Sequence, residues 1–195
     1  MNRTLSKEFN EGLKLVALLS RRMREAGVAE PVVVGASAVE IHSNGALPSA
    51  DIEIAVQDAA LCQQELVRAG FQADDPNSAK LRYSHEDRGI GIRISARVPV
   101  LRKALATREV SFETGCGPVR VISLEDTIAA LVAAFDADPR QQQDHLEQAT
   151  RLYKTAGALN RRYLDLRLRE ETLGRSLAWF VGLTAQRSAG ARWGG

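Results

Sequence analysis

Two short segments carry residue types that can do chemistry together. Gly35-Ala36-Ser37 follows the apolar run Val32-Val33-Val34, and Asp51-Ile52-Glu53 begins sixteen residues after Gly35. A glycine between a strand and a helix lets backbone N–H groups close on an anion, and the helix N-terminus adds its dipole. Ser37 offers a hydroxyl to that cradle. Asp51 and Glu53, two apart on a strand, project from the same face. Adjacent carboxylates are costly unless a cation sits between them, so the pair reads as a Mg²⁺ site carrying a nucleoside triphosphate. Taken alone, Asp-x-Glu on a strand is also the pattern of a sheet edge with two solvated acids. Lys80, Arg82 and Arg93 are the candidates to bring positive charge to the phosphates.

These residues need elements to hold them. Leu5, Phe9, Leu13, Val16 and Met23 recur at helical spacing, with Gly27 as the stop, which predicts an opening amphipathic helix. Pro31 introduces Val32-Val33-Val34, a buried strand by composition. A helical turn or two over Ala36 to Ser43 ends at Asn44-Gly45. Asp51 to Val56 alternates acid and apolar, the period of a strand. Asp58 caps a helix from Ala59 to Ala69, and Asp74 to Ser78 is a loop. Strands are expected over Lys80 to Ser84, Gly89 to Val98, Val110 to Thr114 and Val119 to Ile122, the last two joined by Gly115-Cys116-Gly117-Pro118. Ser123-Leu124-Glu125-Asp126 is a capping box, with Asp126 in the place of the usual Glu. It starts a helix to about Phe135, and further helices follow. The expected architecture is α/β, with helices segregated enough to be called α+β: a small mixed sheet flanked by helices, then a helical C-terminal part. The boundaries are residues 1–123 for the core, 124–187 for helices packed on it as one domain, and 188–195 for a flexible tail.

Composition narrows the function classes. At 195 residues and 45% apolar content, the chain can bury a core without disulfide or metal staples. A net charge of +2 lacks the basic footprint of a general DNA-binding protein. The arginine clusters at Arg21, Arg22 and Arg24 and from Arg161 to Arg169 sit on helical patterns and read as solvated faces. Cys62 and Cys116 form neither a disulfide framework nor a zinc spacing. None of His42, His85 and His145 pairs with another at metal-ligand spacing, although His42 falls near the expected cleft. Trp179 and Phe180 read as helix packing. Without a signal-peptide pattern or a run of transmembrane length, the expected location is the cytoplasm and no membrane partner is expected.

In order and spacing, Gly35-x-Ser37 followed by Asp51-x-Glu53 resembles the nucleotidyltransferase superfamily, the fold of polymerase-beta-like and minimal nucleotidyltransferases. The opening helix, Pro31 to Ala38, and the polar loop before the acids look like a bacterial subgroup that includes toxins of abortive-infection systems. Val121-Ile122-Ser123-Leu124-Glu125-Asp126 matches that subgroup's leucine-glutamate-aspartate helix start, and Arg140, Asp144 and Glu147 match a later helix with spaced acids. The resemblance spans about residues 5 to 155. It implies Mg²⁺-dependent transfer of a nucleotidyl group from a nucleoside triphosphate to a hydroxyl on protein, RNA or a small molecule. In that reading Asp51 and Glu53 are catalytic and bind metal, while Gly35, Ser37, Lys80, Arg82 and Arg93 bind the nucleotide.

Four positions depart from the family pattern. Ala36 stands at the second position of the phosphate turn, where the family has Gly or Ser. Glu53 replaces the usual second Asp. The strand through Ile90 to Ser95 offers Arg93 where a third carboxylate is expected, and an apolar residue near Leu131 fills the place of a nucleotide-contacting Lys. The alternative is therefore a catalytically inactive relative, a nucleotide-binding or protein-interaction module. Arg93 separates the two readings: facing the cleft, it is expected to pair with Asp51 or Glu53 in the space a divalent ion needs.

Overall fold

The computed structural model describes residues 5–75, 81–86, 89–95 and 107–190. Ser6 opens the first helix, α1 (Lys7–Glu25), by accepting a hydrogen bond from the Phe9 N–H at 3.1 Å. That satisfies one of the donors a helix start leaves unpaired. The expected apolar stripe is the buried one: Phe9, Leu13, Val16 and Met23 are all shielded from solvent. Then follow β1 (Val32–Val33), α2 (Gly35–His42), β2 (Asp51–Ala55) and α3 (Ala59–Arg68). Asp58 caps α3 through the Leu61 N–H at 2.9 Å.

Among the described residues five more strands join the sheet: β3 (Gln72–Ala73), β4 (Leu81–Ser84), β5 (Gly91–Ser95), β6 (Glu109–Thr114) and β7 (Gly117–Ile122). Periodicity does not foretell β3, since two residues carry no alternation; it exists by antiparallel pairing with β4. The outer ends expected for two strands, Lys80 and residues 96–98, lie outside the described residues. The seven strands run in the order β3-β4-β5-β2-β1-β7-β6. β2 is antiparallel to β1 and parallel to β5, while β1 is parallel to β7, so the sheet is mixed as expected.

Alternation along β2 and β5 divides the work between the two faces. Ile52, Ile54, Ile92 and Ile94 are buried on one face, in a common core with the α1 stripe, Cys62, Leu66 and Phe71. A methyl group built on Gly12 would stand 2.5 Å from Ile52 Cδ1, which measures how closely α1 approaches the sheet. Asp51, Glu53 and Arg93 point to the other face.

The chain divides after Ser123 into two compact units, the α/β unit just described and a helical one. The helical unit contains α4 (Leu124–Ala137), α5 (Gln143–Thr155), α6 (Arg161–Glu171) and α7 (Leu177–Gly190). Ile128, Val132, Leu146, Leu152, Leu164 and Leu168 form its apolar centre. Phe180 packs edge-on against Tyr153, with ring centroids 5.5 Å apart, in place of stacking a ligand. An ionic network is buried alongside. Contrary to the solvated face expected for its cluster, Arg167 is fully shielded, because acids on α4 and α6 surround it: it lies 2.7 Å from Asp126, 2.7 Å from Glu170 and 2.8 Å from Glu171. The Tyr163 hydroxyl donates to the Asp126 carboxylate at 2.9 Å. Among the described residues no helix is long and apolar enough to cross a membrane.

Two outcomes follow from this packing. Arg167→Met keeps much of the side-chain volume but leaves Asp126 and Glu171 buried without their cation. The cost expected is about 3–5 kcal/mol, read as a lower urea midpoint by circular dichroism; a change below ~1 kcal/mol would show the network to be dispensable. Burial also pushes the Cys62 thiol up to about 12, whereas Cys116 is exposed. A disulfide reagent at mildly alkaline pH should label Cys116 alone in the native protein, and both thiols after unfolding.

Candidate functional site

Gly35 begins α2 at φ +57°, a left-handed conformation that costs other residues roughly 1–2 kcal/mol. The preceding Val34 N–H donates to the Glu53 carbonyl at 3.0 Å, tying the turn to β2. A methyl group on Gly35 would stand 2.7 Å from Glu53 Cδ, so the glycine makes room for the Glu53 carboxylate at the start of the helix. That is where the helix dipole favours negative charge. Glu53 makes no hydrogen bond or ion pair through its carboxylate among the described residues.

Ser37 is fully buried. Its hydroxyl donates to the Asp51 carbonyl at 2.8 Å and accepts from the Glu53 N–H at 2.8 Å. Both functions of the hydroxyl are thus committed to the backbone of β2, where they set the height of the two acids relative to α2. This differs from the expected phosphate cradle, because a side chain with no exposed surface has no open face toward an anion.

Asp51 is 7% exposed, and both of its oxygens are engaged. Arg82 approaches Oδ1 through Nε at 2.9 Å and through a terminal nitrogen at 2.8 Å, while Arg93 donates to Oδ2 at 2.7 Å. Pairing register explains the meeting. Glu53 lies opposite Arg93 across the parallel β2–β5 pair, and Arg93 lies opposite Arg82 across the antiparallel β5–β4 pair. The two guanidiniums therefore share one face, and Asp51 sits between them. Gly91, in register with Asp51, leaves the space they need: a methyl group there would stand 2.5 Å from Asp51 Oδ1 and 2.8 Å from Arg82. The ion pair expected between Arg93 and an acid of β2 is formed, with Asp51.

Arg82 reaches further, to Asp74. Arg82 donates hydrogen bonds to Asp51 and to Asp74, and these, Asp51's first, raise its pKa. Asp74 is held below the usual carboxylate range by the Ser84 hydroxyl, which donates at 2.6 Å, and by Arg82. Beneath the loop before β2, Glu40 is buried and accepts from the Ser49 N–H at 2.6 Å; burial raises its pKa. His42 is hydrogen bonded through Nε2 to the Ile122 carbonyl at 2.8 Å, a structural role.

The structure thus brings together Gly35, Ser37, Asp51, Glu53, Arg82 and Arg93, while Lys80 lies outside the described residues. Sequence reasoning missed Asp74, Gly91, Glu40 and Ser49. Only Gly91 carried a signal, as a glycine inside a strand pattern, which marks a close approach.

The fit of a divalent ion is decided by Asp51. Its two oxygens face guanidiniums, Glu53 is the remaining acid beside it, and no group of three potential metal ligands occurs among the described residues. A divalent ion about 5 Å from a guanidinium is repelled by about 6–7 kcal/mol at an effective dielectric of ~20. The described residues do not fit a Mg²⁺ centre while Arg93 stays where it is.

An antigenic nucleotidyltransferase-like protein from Paracoccidioides brasiliensis superposes with a TM-score of 0.60 at 10% identity, over 95% of this chain and 91% of its own. ANT(2'')-Ia, solved in complex with adenylyl-2''-tobramycin, gives a TM-score of 0.52 at 14% identity, over 80% of this chain and 96% of its own. The chain has the nucleotidyltransferase fold. No family model and no curated protein sequence matches it. Within this nucleotidyltransferase fold, α2 and β2 present Gly35, Asp51 and Glu53 on one face, and β4 and β5 set two arginines against Asp51.

Gly35→Ala places a methyl group against the Glu53 carboxylate at a left-handed backbone position. A loss of about 1–3 kcal/mol is expected from thermal or urea unfolding. No loss would show that the turn relaxes freely and that Glu53 does not need the space.

Proposed function

We propose that this nucleotidyltransferase-fold chain has exchanged metal-dependent transfer for an intramolecular ion cluster and acts as a binding or protein-interaction module. The observation that carries the reading is Asp51 clamped between Arg82 and Arg93. The arginines neutralise the acid that a metal would otherwise neutralise, Arg93 from the strand position where a further carboxylate was expected and Arg82 from the neighbouring strand. Around the cluster two guanidiniums face three carboxylates, those of Asp51, Asp74 and Glu53. That balance does not draw a triphosphate by charge, so nucleotide binding is weak and independent of Mg²⁺, or absent.

A second reading rests on exposure. The Arg93 side chain is 42% exposed, so it can swing away from Asp51 toward a bound phosphate. The chain would then transfer a nucleotidyl group from a nucleoside triphosphate to a hydroxyl on a protein, an RNA or a small molecule. Gly35, Lys80, Arg82 and Arg93 are the residues this reading assigns to the nucleotide, with Ser37 holding β2 in place beside them, and Asp51 and Glu53 those it assigns to Mg²⁺ and catalysis. The abortive-infection-toxin subgroup and a cytoplasmic location belong to this reading too.

Calorimetric titration of the full chain with ATP and GTP, with and without Mg²⁺, separates the two. The ion-cluster reading expects no heat, or the same weak binding in both conditions. Tight binding only with Mg²⁺, together with labelled-nucleotide incorporation that Asp51→Ala abolishes, would establish the transferase. Removing the guanidinium gives a complementary test. Arg93→Asp should turn a protein indifferent to Mn²⁺ into one whose Tm rises by about 2–4 °C or more at millimolar Mn²⁺. An equal rise in the unaltered chain would mean that Arg93 does not guard the site.

A further inference from the structure

The other face of the sheet carries a feature that neither reading uses. Between the second half of α1 and the end of α3, a groove of about 260 Å³ opens to solvent. Its walls are Leu15, Leu18 and Leu19 of α1 and Leu66 of α3, and Phe71, just beyond α3, forms part of its lining. Phe71, Leu66 and Leu19 are buried at its base, whereas Leu18 is 36% exposed at its lip. A space of this size is smaller than a pocket for a drug-sized ligand and suits one or two large apolar side chains.

The rim is charged with one predominant sign. Arg21 and Arg22 stand on the α1 side and Arg68 on the α3 side, against the single carboxylate of Glu65. Glu65 is already paired with Arg68. Arg21 only touches Glu25, at 4.0 Å, and the Arg22 guanidinium makes no ion pair among the described residues. With Arg68 taken up by Glu65 and Arg21 4.0 Å from Glu25, the charge the rim keeps unspent beside its apolar floor is chiefly that of Arg22, on a chain whose net charge is +2. Apolar anchors flanked by acids complement such a surface, and two neighbouring helices form the kind of trough that receives a third.

We infer that the α1–α3 groove is the docking surface for an acidic amphipathic helix of a partner protein, with large apolar side chains entering between Leu18 and Leu66 and carboxylates meeting Arg22 and its neighbour Arg21. The inference stands on this face alone and does not depend on the state of Asp51.

The probes are synthetic peptides of about 18 residues, some five helical turns. One carries Leu at i, i+3, i+4 and i+7 with Glu on both flanks, a second replaces every Glu by Lys, and a third replaces the Leu anchors by Ser. Binding to the full chain is followed by fluorescence anisotropy and by NMR shifts in α1 and α3. The acidic peptide is expected to bind at ~10–100 μM, with shifts confined to α1, α3 and Phe71. The other two peptides should bind at least about tenfold more weakly. Two exposed substitutions, Leu18→Glu and Arg22→Glu, should each weaken the acidic peptide by about tenfold or more and leave the NMR spectrum otherwise folded.

Equal binding of the Lys peptide, or shifts that map elsewhere, would overturn the assignment. So would binding indifferent to both substitutions. Vesicles containing phosphatidylglycerol serve as a further arm: recruitment to them lost in Leu18→Glu, without peptide binding, would reassign the groove to a lipid surface. Sedimentation of the chain alone covers the remaining occupant, since a dimer that Leu18→Glu dissolves would assign the groove to self-association.

Discussion

A carboxylate almost shut away from water on a central strand has to be neutralised, and much of this molecule's arrangement answers that requirement. Asp51 sits on β2, in the middle of the seven strands. An unpaired charge there would cost several kcal/mol. The neutralising groups come from β5 and β4, so the acid links three neighbouring strands through side chains as well as through their ladders. Gly91 has to be small for the same reason, and Asp74 is drawn in by the outer guanidinium. The hydroxyl of Ser37 holds the backbone of Asp51 and Glu53 at a set height. Remove the charge on Asp51 and the reason for placing Arg82 and Arg93 beside it goes too.

The faces of the sheet follow different physics. On the α1 side, burial is apolar and tolerant in detail, because any isoleucine-like side chain at residues 52, 54, 92 or 94 excludes water in much the same way. On the α2 side, placement is polar and directional, and a shift of one residue in register would send Arg93 into the core. That makes β2–β5 register the quantity on which the site stands.

This difference also explains what was legible in the sequence. The helix of Phe9, Leu13 and Val16 and the alternation from Asp51 to Ala55 can be read directly, because a single period generates each. The convergence of Gly35, Asp51, Glu53 and Arg93 was readable from strand parity and from the resemblance in their order. Arg82 was visible as a cation but not as a partner of Asp51, since that contact depends on which strands are neighbours. Asp74 read as part of a loop, because its ligand arrives from another strand. The double engagement of Ser37 was hidden for a related reason: a hydroxyl after a glycine looks the same whether it faces an anion or a backbone. Gln72–Ala73 is a strand only because β4 is beside it.

The buried network of the helical unit has a consequence for how such a sequence can change over time. Arg167 serves Asp126, Glu170 and Glu171 at once, and it reaches no solvent that could take over any of those roles. A lineage that loses the arginine first passes through a form with stranded acids, and one that loses Asp126 first strands part of the arginine and the Tyr163 hydroxyl. Drift at these positions is therefore expected in steps that alter several of them together, toward an all-apolar centre of similar volume. Descendants of this chain should keep or lose Arg167, Asp126 and Glu171 together, while the partly exposed Glu170 is free to vary.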